Sequence, residues 1–226
     1  LFVAMCMLTI SLALMGSHRA MAAGEPFACS PGFYQVVSGQ LKILNPVNGT
    51  YTDIGPVNTS YNGIGYNTED NYIYGIGNDP SNGGHLIRIA SDGTYTDLGI
   101  PSGLPAATTY VIGDMDGLGN LMLRSNATTF YKVDVGTVTA TTVTVSGGSS
   151  GVDMVIINNV GYMLSTAQAL TRINFNTNTG DIVAVSGLGG EGANNHGAGW
   201  ADQSGNLYFS TNETGNIYKI SGYTCG

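Results

Sequence analysis

Positive charge is scarce in this chain. Seven Lys and Arg residues stand against fifteen Asp and Glu in 226 residues, a formal net charge of −8. Nucleic acid and anionic membrane surfaces select polybasic patches, so neither is expected as a partner. Cysteine is scarcer still: Cys6, Cys29 and Cys225 are all there is, and the three His residues lie far apart at 18, 85 and 196. That distribution offers no zinc or other transition-metal ligand set. Beyond residue 23 no apolar run is long enough to cross a bilayer, so membrane insertion is not expected. No stretch of it keeps a 3.6-residue apolar period over three turns, which argues against any helical class.

The apolar run Leu1–Met15, followed by Ala20-Met21-Ala22, has the form of a secretory signal, although it lacks an initiator Met and a basic beginning. Residues 1–23 are therefore read as a signal incomplete at its start, and 24–226 as one exported, extracellular domain. Removing the signal deletes Arg19 and no acid, leaving six basic against fifteen acidic residues. Cations, glycans and neutral protein surfaces remain as partners. Cys6 leaves with the signal. Cys29 then precedes the first expected strand and Cys225 follows the last, so a disulfide between them would hold together the two ends of a ring. The chain-entropy view gives such a long loop on the order of 5 kcal/mol. The alternative is that each thiol pairs beyond this sequence. Asn48, Asn58, Asn126 and Asn212 each begin an Asn-x-Ser/Thr sequon and are candidate glycan acceptors on turns.

What is abundant is repetition. Lys42-Ile43, Arg88-Ile89, Lys132-Val133, Arg172-Ile173 and Lys219-Ile220 recur at intervals of 46, 44, 40 and 47 residues, each inside a short β-prone run. Asn48–Gly55 returns as Asp92–Gly99, an Asn-Gly or Asp-Gly turn leading into Thr-Tyr-Thr-Asp. Polar turns entering strands recur at Glu69–Tyr74, Gly117–Met122, Asn158–Met163 and Ser204–Phe209. A period near 44 with several strands per unit predicts a β-propeller. The fold class is all-β, a β-propeller of about five blades, or six, with four-stranded antiparallel blades. Blades are drawn at 33–70, 71–116, 117–158 and 159–204, with 205–223 beginning a fifth. A β-sandwich accounts for the strands but not for the period. Turn spacing places Lys42 opposite Asp53, Arg88 opposite Asp97, and gives Arg172 and Asp181 the same separation. The basic series is thus read as cross-strand pairing rather than as a ring of positive charge for a ligand.

Tyr61-Asn62-Gly63-Ile64-Gly65-Tyr66-Asn67 with Asp70–Gly75, and later Gly205–Tyr208 and Thr214–Tyr218, resembles a domain of unknown function found in secreted and surface proteins of bacteria and invertebrates. The resemblance covers about residues 33–221. It implies an extracellular propeller-like module and carries over no catalytic residue.

Several segments invite chemistry. Asp114-Met115-Asp116-Gly117-Leu118-Gly119-Asn120 places hard oxygens at Asp114, Asp116 and Asn120, as calcium would want, but a helix-loop-helix site needs an acid where Ser125 stands. The same residues also read as an ordinary inter-strand turn. Gly147–Gly151 matches G-x-S-x-G without a following helix, and Gly187–Gly192 matches G-x-G-x-x-G without a helix to hold phosphate. His196, Trp200 and Asp202 could stack a sugar ring and bond its hydroxyls; the competing reading is plain packing of the one Trp. The expected function is a secreted non-catalytic module presenting loops to an extracellular protein or glycan, without a resident cofactor. The alternative is a calcium-supported, lactonase-like hydrolase using Asp114, Asp116 and Asn120.

Overall fold

The computed structural model describes residues 24–28, 32–45, 47–57, 59–105, 109–167, 169–188, 195–202 and 204–222. Among them there is no helix, and the strands form five antiparallel sheets. Blade I holds β1 (Phe33–Val37), β2 (Gln40–Leu44) and β3 (Tyr51–Ile54). Blade II holds β4 (Tyr61–Tyr66), β5 (Ile73–Gly77), β6 (Leu86–Ile89) and β7 (Tyr95–Asp97). Blade III consists of β8 (Gly113–Met115), β9 (Asn120–Arg124), β10 (Thr129–Asp134) and β11 (Thr139–Thr144). Blade IV consists of β12 (Val155–Ile157), β13 (Val160–Leu164), β14 (Ala169–Asn174) and β15 (Thr179–Ala184). Blade V shows β16 (His196–Ala201), β17 (Leu207–Thr211) and β18 (Ile217–Ile220). The first strands of blades II to V gather around the axis: β4 packs against β8, and β12 against β8 and β16, while β1 of blade I lies beside β4. The chain is a five-bladed β-propeller.

The period is as read, but its phase is one strand late. The first sheet begins at Phe33 as drawn, but each of the other four begins before the turn at which the sequence was divided. Asn67–Asn71, Asp116–Asn120 and Asp202–Asn206 join the first strand of a blade to its second. Blade-to-blade connections run instead through 98–112, 145–154 and 185–195.

Strand registers decide the charge pairs. Lys42 faces Asp53 with 2.5 Å between Nζ and Oδ1, and Arg172 faces Asp181 at 2.5 Å. Arg88 does not face Asp97. The loop Ala90–Thr94 sets Ile87 against Asp97 and Arg88 against Thr96, so Asp97 bonds His85 Nδ1 at 2.9 Å. Arg88 lies over the Tyr72 ring, 4.5 Å from its centre, while Lys132 reaches Asp116 Oδ2 at 3.9 Å. These part-exposed contacts contribute about 0.2–1 kcal/mol each.

The core lies between the blades. Leu41, Tyr61, Ile73 and Ile87 fill the junction of blades I and II; Ile76, Leu86, Leu121 and Val133 fill that of II and III. Met122, Phe130, Met163 and Ile173 join III to IV, and Tyr162, Leu170, Leu207 and Phe209 join IV to V. Each fully buried side chain of this kind adds roughly 2 kcal/mol.

At the rim, the segment leaving one blade clips onto the outer hairpin of the next. Ser102 N donates to Val138 O (3.0 Å) and its carbonyl accepts from Ala140 N (2.7 Å); Ser146 repeats this with Asn178 and Gly180 (3.0 and 2.7 Å). Gly147, at φ +83, allows that approach, because a Cβ there would strike the Gly180 carbonyl oxygen.

Candidate functional site

The first strands end around a cavity of about 640 Å³ at one end of the axis. Phe33, Tyr66, Asp114, Leu118, Ile156 and Trp200 are among its walls, drawn from all five blades. Trp200 on this wall heads an aromatic ladder, built by register, that continues behind it. Trp200 on β16 pairs with Tyr208 on β17, which pairs with Lys219 on β18. Stacked side chains follow: the Trp200 and Tyr208 rings lie 5.8 Å apart and 5° from parallel, and Lys219 Nζ sits 5.9 Å from the Tyr208 centre. Phe33 approaches from blade I, 5.3 Å from Trp200. Trp200 Nε1 is buried with no acceptor.

Asp114 lies on β8 at the cavity wall. Its Oδ1 accepts from Met115 N and its Oδ2 from Ile156 N on blade IV, both at 2.8 Å. The cavity leaves part of the carboxyl accessible, yet protein surrounds it on every side and keeps bulk water away. That desolvation pushes its pKa up to about 7, against the two backbone donors. Asp153 repeats the arrangement one blade on, accepting from Gly199 N on β16 at 2.6 Å. Burial likewise holds its pKa well above the usual carboxylate range, and the charge of Asp114 adds to this. Two aspartates thus tie blade III to IV and blade IV to V near the axis. Sequence inspection missed Asp153; its only signal is its place three residues before Ile156, just ahead of a strand too short to be read.

The sequence-derived trios are not brought together. Asp116 points away from Asp114 and caps its own turn: Oδ1 accepts from Leu118 N (2.7 Å) and Asn120 N (3.1 Å), and Oδ2 from Asn120 Nδ2 (2.8 Å). His196 stands at the opposite end of β16 from Trp200, buried, with its ring edge-on to Phe209 and Tyr218. Asp202 repeats the Asp116 cap, accepting from Asn206 Nδ2 (2.7 Å), Asn206 N (2.9 Å), Ser204 N (2.9 Å) and Tyr208 Oη (2.9 Å). The Asn206 bonds are the chief reason its pKa falls to about 2. Of the six residues only Asp114, Asp116 and Trp200 line the cavity. Ser149, centre of the G-x-S-x-G match, is buried under Arg124, accepting from Nε at 2.8 Å and donating to Ala127 O at 2.9 Å. That is a rivet between blades. Among the described residues no three His, Cys, Asp or Glu side chains cluster as a metal would require.

Asn48, Asn126 and Asn212 are exposed, and the Asn48 and Asn126 side-chain oxygens cap their own turns at Thr50 N and Thr128 N (each 3.0 Å). Asn58, Cys29, Cys225 and the signal-like residues 1–23 lie outside the described residues.

Comparison with solved structures agrees with the architecture. The glutaminyl cyclase of Myxococcus xanthus is similar at 12% identity and a TM-score of 0.60, over 84% of this chain and 85% of that one. An auxiliary nutrient binding protein from Bacteroides thetaiotaomicron is similar at 13% identity and a TM-score of 0.50, over 84% of this chain and 54% of that one. At such identities the likeness is one of fold. No curated protein matches the chain. A family model described as a repeat of unknown function (DUF6923) matches residues 35–223, nearly all of the propeller, and the chain belongs to that family.

Proposed function

We propose that this chain is a secreted, non-catalytic binding module that engages an extracellular protein or glycan at the axial cavity and the turns around it. The observation that carries this reading is the cavity wall itself. It offers the rings of Phe33 and Trp200, the latter backed by Tyr208, an indole N–H without an acceptor, and a carboxyl whose two oxygens are already taken by backbone donors. Such a wall suits contact and hydrogen bonding better than proton transfer or cation binding. Export is supported by the signal-like run at 1–15 and its small-residue site, and a Cys29–Cys225 bond belongs to the same reading. The exposure of Asn48, Asn126 and Asn212 supports their reading as glycan acceptors.

Trp200 is the only Trp of the chain, so its emission reports on the site directly. Glycan arrays and affinity capture with the mature protein should yield a partner at micromolar levels whose binding shifts that emission. Failure of both, with Trp200 emission unmoved, would remove the proposal. Metal analysis separates the alternative: after dialysis the protein is expected to hold no stoichiometric cation, and a chelator should leave its Tm unchanged. One calcium per chain, lost together with thermal stability on chelation, would instead favour the calcium-supported hydrolase with Asp114, Asp116 and Asn120.

A further inference from the structure

The geometry points to the junction of blades V and I as a slot for an extended peptide strand of neutral-to-basic character, donated by the extracellular protein partner. This rests on the binding reading above and names its ligand. The repeat locates the slot. Arg88, Lys132, Arg172 and Lys219 lie on the third strands of their blades, whereas Lys42 lies on β2. So β1 corresponds to the second strands β5, β9, β13 and β17. Blade I has no counterpart of β4, β8, β12 and β16 among the described residues, and β1 pairs with β2 alone. The other four junctions each hold a core cluster. At the fifth, among the described residues, Phe33 reaches Trp200 at 5.3 Å and Tyr208 at 6.1 Å. The axial cavity opens in the same place, with Gly32, Phe33 and Tyr34 on one side and Gly199 and Trp200 on another.

The chemistry of the slot fits a polypeptide backbone. A sheet edge offers alternating N–H and C=O groups that an added strand satisfies every second residue. The Trp200 indole N–H, buried without an acceptor, suits a peptide carbonyl. Charge selects among strands. The molecule carries a net charge of −8, so a Lys or Arg on the guest is favoured and an acid opposed. A sugar would need convergent side-chain acceptors, whereas both oxygens of the Asp114 carboxyl are already taken by backbone donors.

The test uses a synthetic peptide with the sequence of residues 59–67, the axial strand β4 and its approach, flanked by two lysines. It lacks Trp, so Trp200 emission reports binding. Saturable binding at micromolar peptide is expected, roughly tenfold tighter than for a glutamate-flanked version at low salt. Methylation of alternate backbone nitrogens should abolish it, because strand pairing needs those N–H groups. Trp200→Phe, followed by calorimetry, should weaken it about fivefold through the lost donor. Equal binding of the methylated peptide would overturn the slot. Glycan binding that shifts Trp200 while every peptide fails would overturn it too, yet leave the binding module standing. Light scattering that shows a dimer from which the peptide is excluded would overturn it by giving the slot to a second copy.

Discussion

Asp114 illustrates how a single carboxyl can shape the behaviour of a whole seam. Its folded pKa stands near 7, well above the ordinary carboxylate value of 3.8, so the folded protein holds a proton that the unfolded chain releases. The contribution is fully present below pH 4 and is lost as pH rises toward 7; Asp153 acts in the same direction. Asp202 is the opposite case, with stabilisation present above pH 4 and lost as pH falls toward 2. Stability measured by urea unfolding should therefore peak near pH 4–5 and decline toward neutrality. Asp114→Asn should flatten that decline. It should also lower stability by about 1–2 kcal/mol at pH 5, since Met115 N and Ile156 N bond different carboxyl oxygens and the amide puts an NH2 donor in place of one of them. An unchanged slope between pH 4 and 7 in the variant would place the titration elsewhere. At this scale the sequence was partly legible. The Asp-x-Asp-Gly-x-Gly-Asn segment was visible as either turn or cation loop. Asp116 finds its partners within the turn, but the second partner of Asp114 comes from a neighbouring blade some forty residues away, and no local spacing can express that.

Among elements, the rim clips provide the sharpest contrast. Val145-Ser146-Gly147 and Val185-Ser186-Gly187 share a sequence pattern and a backbone shape, with φ of +83 and +85 at the glycines. Gly147 presses on the carbonyl of Gly180, whereas among the described residues nothing lies within 4 Å of a Cβ added at Gly187. Gly187→Ala should cost only the left-handed penalty of about 1–2 kcal/mol. Gly147→Ala should cost that and the displacement of the clip besides, and so lower Tm several degrees further in a parallel melt. Equal losses would show that the clip holds nothing. The recurrence of third-strand cations was enough to read the blade period from sequence, and the Lys42–Asp53 and Arg172–Asp181 registers with it. The phase was hidden, because the loudest turn signals fall inside blades. Axial strands such as Gly113–Met115 are three residues long and look like loop. Arg88 missed Asp97 for a related reason: the loop between them holds five residues rather than two, and one position of slip changes every partner.

For the molecule as a whole, closure rests unevenly on its five junctions. Phe33→Ala should lower stability by about 2 kcal/mol and move Trp200 emission to the red, as water reaches the indole face. A variant with unaltered emission would mean that Phe33 does not close the ring. The sequence foretold a ring of strands but not where it would be thin, since thinness belongs to two segments nearly 170 residues apart. The arrangement of cores has a further outcome. Each blade leans only on its two neighbours, so loss of order travels around the circle as it does along a zipper. Heating or pulling should open the molecule first where blade V meets blade I. Amide exchange should then be fastest in β1 and β18 and slowest in β9 and β10, in the blade most distant from that opening. A protein built this way has its point of rupture chosen in advance, beside the very cavity that would receive a guest.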